Sequence, residues 1–480
     1  MYHGQLWELH EEADLWRIDA AAVRLLTRTG CRIEHEGLLG LLEGAGCRVD
    51  LGAMRAYLPE ELIRRALGHL ARPEACSPEV RQATGWNPQL HLDQDGSYPH
   101  LLEWPSGRRR LATRQDVVDM ARMGHMLPEC ERVGKVLNCH EVDQRLEPLW
   151  YLLTLARTTD KPVSGGELLY AEYIEPLVQM ASVLSGREHD LSLINYWDYA
   201  ITPLIFDRRQ VEVFLEKRRL GCANMPGTMV ISGMSVPVTL AAACAVGLAE
   251  LLAGFVFGYV VNSDLPAAGL IATGSLDMRT ATAVFGSSEA LLQDVTLVQA
   301  CRRLYGIPAL CATGYVDCKK PGIDATFQKL MPLCASPFGS GGYVINQGLL
   351  SAGQDYSPVQ HLLDVEMNAA LERFYSGFEV NEDTLAEGLL EELVPLRPTN
   401  FLDTEHTRAH YRKEQWYARW LDRTLWHGDD VEREAEHRML QRIDQYCKDA
   451  IAGYEPPDLD PEKQGELEWI YRVAEKKILG

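Results

Sequence analysis

Between about residue 95 and residue 361 the chain alternates short apolar runs with longer helical patterns, and that alternation limits the folds open to it more than any other feature. The runs predict strands at Tyr98–Leu102, Val133–Asn138, Pro162–Ser164, Ser192–Tyr196, Thr228–Ser232, Gly269–Thr273, Ala309–Thr313 and Tyr343–Asn346. Helical periodicity lies between them, as at Thr239–Val261, Glu289–Tyr305 and Asp324–Leu333. Eight strands alternating with helices predict the α/β class and a (β/α)8 TIM-type barrel; a doubly wound open sheet is the alternative. Residues 1–94 read as a small α/β extension. In it Cys31-Arg32-Ile33-Glu34 and Cys47-Arg48-Val49-Asp50 are near-copies flanking a helical stretch at Leu38–Glu43, and Pro59 is expected in the first turn of a further helix. Residues 362–480 read as a helical cap or the surface of a homo-oligomer, with Trp416, Trp420 and Trp426 expected in core packing.

Charge narrows the partners. With 47 basic and 68 acidic side chains the formal net charge is −21, a field that repels nucleic acid and anionic lipid. The basic run Arg108-Arg109-Arg110, after Pro105-Ser106-Gly107, reads as a solvated loop. Leu240 to Val261 is long and apolar enough to span a bilayer, but Glu250 interrupts it, small residues crowd it and no basic flank follows. It is expected to be a buried helix of a soluble protein. Twelve cysteines contain no CxxC pair, and those in apolar runs, such as Cys244 and Cys311, are expected as buried free thiols. Together with the lack of a basic-then-apolar leader in Met1–Glu12, this predicts a cytoplasmic protein with no membrane and no nucleic-acid partner.

In a parallel barrel the chemistry sits where strands end. One such end holds His140, followed by Glu141 and Asp143, without recognised metal spacing; no metal site is expected. Another clusters Tyr196, Trp197 and Tyr199 around Asp198. Aromatic faces hold cations that have no hydrogen to donate, and Phe285 and Tyr315 are placed to complete such a cage. Packing of a strand–loop junction is the alternative role for these rings. Asp277 and Arg279 form either a structural pair or, through Arg279, a two-pronged site for a substrate carboxylate. Asp317 and Lys319 are candidates for site electrostatics or a surface ion pair, and Asn346 ends the last strand. Ser287 and Glu289 suit the start of a helix, and Phe338-Gly339-Ser340-Gly341-Gly342 lacks the signature of a phosphate loop.

Taken together, Gly233-Met234-Ser235-Val236-Pro237-Val238-Thr239-Leu240, Ala249-Glu250-Leu251-Leu252-Ala253-Gly254, Asp277-Met278-Arg279-Thr280, Phe285-Gly286-Ser287-Ser288-Glu289-Ala290, Gly348-Leu349-Leu350 and Asn400-Phe401-Leu402-Asp403-Thr404-Glu405-His406-Thr407 resemble the trimethylamine methyltransferase superfamily in order and spacing. The likeness runs over most of the chain. It implies a (β/α) barrel that passes a methyl group to the Co(I) state of a separate corrinoid protein, with no tightly bound cofactor of its own. Trimethylamine enzymes of the superfamily carry pyrrolysine; every position here is a standard residue, which implies quaternary amines such as glycine betaine, proline betaine or carnitine. Val316-Asp317-Cys318-Lys319 departs from the family's Ser-Asp-Ala-Lys. On this reading Tyr196, Trp197, Tyr199, Tyr315 and His140 line the amine site, Arg279, Lys319 or Asn346 takes a betaine carboxylate, and Asp277, Asp317 and Asn346 are candidates for positioning the methyl group. Two competing readings are a betaine-binding or sensory barrel without transfer and a zinc-dependent methyltransferase of related fold.

Overall fold

Five short parallel strands lie side by side: β1 (Trp197–Tyr199), β2 (Met225–Thr228), β3 (Gly269–Ile271), β4 (Ala309–Thr313) and β5 (Tyr343–Ile345). They belong to a computed structural model that describes residues 8–76, 96–194, 197–340, 343–345, 347–396, 400–429 and 434–480. A helix follows each strand: α1 (Arg208–Arg219), α2 (Leu240–Val261), α3 (Ser288–Tyr305), α4 (Ile323–Ser340) and α5 (Pro358–Tyr375). Parallel bridges at Tyr98↔Leu137 and Val133↔Val163 repeat the same sense upstream. The fold is therefore mixed α/β with strand and helix in regular succession. Local chemistry sets the helix starts: the side chains of Asp207, Ser287 and Ser357 accept the amides of Gln210, Ala290 and Gln360.

Of the eight predicted strands Ala309–Thr313 keeps its span. Val133–Asn138 and Pro162–Ser164 form isolated bridges rather than strands; in the first, the Tyr151 hydroxyl takes the Val136 amide and donates to the Gly134 carbonyl. Tyr98–Leu102 shortens to His100–Leu102, in a sheet apart from β1–β5, and Tyr343–Asn346 is a strand to Ile345, with Asn346 outside the described residues. Three more move, split or stop short. Ser192–Tyr196 gives way to β1 at Trp197, because Asp190 accepts the Ser192 amide and the Ile194 amide turns back to Leu191. Residues 195–196 lie outside the described residues. Thr228–Ser232 splits: β2 ends at Thr228, and Ile231–Ser232 joins Gly274–Asp277 and Thr282–Val284 in a separate small sheet. The run Gly269–Thr273 stops at Ile271, since the carboxylate of Asp294 takes the Thr273 amide at 2.8 Å.

In the N-terminal region the two near-copies do not pair with each other. Cys31–Ile33 and Arg48–Asp50 flank Arg55–Tyr57, and a strand from mid-chain, Ile205–Phe206, completes the sheet beside Cys31–Ile33. Pro59 is the residue before helix Glu60–Leu70 rather than part of its first turn. Nor is Arg108-Arg109-Arg110 a solvated loop. Arg109 and Arg110 begin strand Arg109–Leu111, Arg110 contacts Glu103 and Asp116 at 2.6 Å, and Arg109 contacts Asp355 at 2.5 Å. At the other end Ala435–Ala452 packs on Arg114–Met126, and Pro461–Leu479 on Ile174–Ser185. Of the three tryptophans expected in core packing, Trp420 is buried, whereas Trp426 is 71% exposed.

α2 is the helix whose apolar length raised the question of a membrane. Of its most apolar eighteen-residue window, 78% is buried inside the protein. It packs against β2, against α3 and against helices Glu12–Arg24 and Glu60–Leu70. Glycines set its distance from β2: a β-carbon on Gly254 would stand 2.3 Å from Cβ of Pro226. Its one acid, Glu250, is buried and accepts from the hydroxyls of Thr228 (2.7 Å) and Thr202 and from the amide of Leu204. Burial pushes this carboxyl up to about 7 against those three donors.

Two glycine substitutions test the packing with opposite signs. Gly254→Ala is expected to cost about 1–3 kcal/mol through overpacking. Gly40, exposed in helix Glu36–Gly44 with nothing within 4 Å of an added β-carbon, should gain about 0.5–1 kcal/mol as Gly40→Ala. Urea unfolding measures both. Equal effects would contradict the helix–strand contact described here.

Candidate active site

A strand alternates its faces, so neighbours in β1 serve different purposes. Asp198 points to the helix layer, 2.5 Å from Nζ of Lys217 and 3.4 Å from the guanidinium of Arg218, both buried on α1. That acid is therefore structural. Trp197 and Tyr199 face the other way. Tyr199 is in register with Gly227 of β2, where a β-carbon would come within 2.5 Å of the tyrosine ring. The missing side chain is the room the ring occupies.

After β4, Tyr315 meets Phe285 with ring centroids 5.5 Å apart and planes tilted by 38°. Asp317 holds this pair in place: its carboxylate accepts the amides of Phe285 and Gly286 at 3.0 Å, while its own amide donates to Gln328. From behind, Ala352 donates to the carbonyl of Val316, and Gly353 lies against the Tyr315 ring. Phe285 and Tyr315 line a cavity with Ala272, Thr273, Asp294 and Gly314.

Three acids and one lysine share this neighbourhood. The charges of Tyr315, Glu167 and Asp294 all act on the Tyr199 hydroxyl, and Glu167 acts on Tyr315. Burial keeps both phenols protonated, with Tyr315 pushed up to about 12. It also pushes Asp294 up to about 8, against the Thr273 amide that favours its charge. Glu167 is raised by burial as well, and Lys135 pulls it part of the way back. Lys135 itself is paired with Glu147 at 2.5 Å, and Glu147 also accepts the Cys139 amide. The result is an aromatic wall beside which Asp294 and Glu167 are pushed toward their neutral forms, while Glu147 is paired with Lys135.

A family model described as trimethylamine methyltransferase (MTTB) matches residues 3–477. The chain belongs to this family. Among relatives, the glycine betaine methyltransferase of Desulfitobacterium hafniense (strain Y51) is 25% identical over 99% of both chains. A trimethylamine methyltransferase of D. hafniense (strain DSM 10664 / DCB-2) is 22% identical over 86% of this chain and 84% of its own. The solved monomethylamine methyltransferase of Methanosarcina barkeri aligns over 95% of this chain and 96% of its own, at 13% identity and a TM-score of 0.42.

Within this methyltransferase family member the expected site residues divide. Tyr199, Tyr315 and Phe285 come together, and Asp317 joins them by fixing the Phe285 turn rather than by lending charge to the site. Arg279 does not: its side chain is 88% exposed and closes a two-pronged pair with Asp277. His140 and Lys319 are exposed too, and the Lys319 ammonium folds back on the carbonyl of Asp317. Tyr196 and Asn346 lie outside the described residues. Among the described residues no three His, Cys, Asp or Glu side chains gather as metal ligands. The residues missed were Glu167, Asp294 and Lys135. Gly165-Gly166-Glu167, directly after a predicted strand end at Ser164, was the signal for the first.

Asp294 makes folding depend on pH. Its folded value near 8 lies above the ordinary carboxyl range, so the folded protein binds the extra proton. That contribution to stability is complete below about pH 4 and is lost as the pH rises through about 8. Glu250 acts with the same sign up to about 7. Asp294→Asn is therefore expected to flatten the fall in melting temperature between pH 5 and 8; an unchanged slope would contradict a buried, protonated Asp294.

Proposed function

We propose that this protein transfers a methyl group from a quaternary amine, glycine betaine or a similar betaine, to the Co(I) corrinoid of a separate corrinoid protein. The observation that carries the proposal is the convergence of Tyr199, Tyr315 and Phe285 beside the parallel strands, with acids held toward neutrality. Family membership and the relative named glycine betaine methyltransferase support the same reading. On it, β1 to β5 and the parallel bridges upstream are parts of a closed (β/α)8 barrel spanning residues 95–361, between an N-terminal extension and a C-terminal cap. The corrinoid protein is the methyl acceptor, and the chain needs no tightly bound cofactor. The exposed apolar residues Phe378, Leu402 and Trp426 support a homo-oligomer, and twelve free cysteines support a cytoplasmic setting.

The chemistry asks for position more than for proton transfer. A quaternary nitrogen already carries its charge, and when the N–CH₃ bond breaks the electron pair stays on nitrogen as a neutral tertiary amine. The leaving group needs no proton. The enzyme must align nitrogen, methyl and cobalt at near-attack distance. It must also avoid holding the cation too firmly, because stabilising a charge that disappears raises the barrier. Rings attract the cation through their faces without a permanent counter-charge.

Mixing the purified protein with Co(I)-reduced corrinoid protein and a panel of methylamines and betaines tests this. One quaternary amine should convert the visible spectrum to that of methyl-Co(III). Tyr199→Ala and Tyr315→Ala should each weaken amine binding about 10- to 30-fold, the size of a desolvated cation–π contact. No conversion with any amine, using a corrinoid protein shown to accept methyl from another donor, would contradict the proposal.

A further inference from the structure

Phe285 and Tyr315 owe their arrangement to a helix that supplies neither ring. Asp317, which holds the Phe285 turn, is itself held: its amide donates to Oε1 of Gln328, on α4, at 2.7 Å. Gln328 also meets the far end of that contact. A β-carbon on Gly286 would stand 2.8 Å from Oε1 and 3.2 Å from Cβ of Gln328. One half-buried side chain of α4 therefore braces both the loop after β4, which carries Tyr315, and the turn that carries Phe285.

α4 is anchored where it does this. Lys329, the next residue, is buried and ion-paired with Asp364 of α5. Asp364 also accepts the Gly348 amide at 2.8 Å and the side-chain amide of Gln360 at 2.7 Å, and Gln360 accepts the amide of Gly322, just ahead of α4. With the helix held so, the loop and the turn conform to Gln328. What they set is an angle, the 38° tilt of Phe285 on Tyr315. A ring attracts a cation over its face and not at its edge, where its hydrogens are positive, whereas an apolar contact hardly depends on the angle. Ring tilt thus decides how well the site tells a charged trimethyl group from a neutral one.

Resting on the methyl-transfer reading, we infer that Gln328 is a positioning residue of the amine site. Through Asp317 and Gly286 it fixes the tilt of Phe285 against Tyr315, and so sets the preference of the site for a quaternary ammonium over a neutral group of the same shape. In this role Gln328 lends no charge to the site. Its oxygen is an acceptor for one loop, and its stem is a spacer for the other.

Calorimetric titration with glycine betaine and with tert-butylacetate, its isostere with carbon in place of the quaternary nitrogen, tests the inference without any corrinoid. The wild-type protein should prefer glycine betaine. Gln328→Met, which keeps the stem and removes the acceptor, should lower that preference about fivefold, within the range of a cation–π contact, by weakening glycine betaine alone. Gly286→Ala, which forces the same contact apart, should do likewise; circular dichroism checks that both are folded. Added to Asp317→Ala, Gln328→Met should change the preference no further, because the two act through one contact. Folded variants that keep the wild-type preference, or that weaken both ligands alike, overturn the role of Gln328 and leave methyl transfer standing. So does a further loss of preference when Gln328→Met is added to Asp317→Ala. If the wild-type protein binds neither ligand, or prefers neither, the quaternary-amine reading falls and the inference with it.

Discussion

A single carboxyl group holds together parts of the chain that are far apart in sequence. Glu250 sits within a helix otherwise composed of apolar and small residues, and it takes hydrogen bonds from Thr228 at the end of β2 and from Thr202 and Leu204 in the loop after β1. Those contacts set the height of α2 against the sheet, and Gly254 sets its distance. The same loop leads into Ile205–Phe206, the strand that completes the N-terminal sheet. An unsatisfied buried carboxyl would cost several kcal/mol, so helix, strand end and loop are constrained as one unit. Tyr199 stands on that unit, paired with Gly227 at the last position of its register with β2.

The site follows from what such a frame leaves inside it. Strand parity sends Asp198 outward to two buried cations and Tyr199 inward to the rings and acids. Low polarity then does two things at once. It strengthens the pull of an aromatic face on a cation, and it drives the buried Asp294 toward its neutral form. A site of this kind welcomes a charge that it does not fix in place, which suits a reaction that removes the charge.

Much of this was legible in the residues, and the failures have physical causes. The span Ala309–Thr313 was read as observed because its apolar run is bounded by turn residues on both sides. Ser287 announced the start of α3 through its short acceptor side chain. The strand placed at Ser192–Tyr196 was displaced because the Asp190 side chain captures a backbone amide, a contact that periodicity does not register. Arg110 looked solvated since one of its acids, Glu103, is seven residues earlier and another, Asp116, caps a helix. Arg279 looked like an anchor for a carboxylate, but its own neighbour Asp277 occupies the guanidinium.

The most direct measurement of the account is a crystal structure of the protein with tetramethylammonium or glycine betaine bound. The account predicts the quaternary nitrogen within about 6 Å of the Tyr199 and Tyr315 ring centroids, the range of a cation–π contact. An amine seated away from both rings would contradict it.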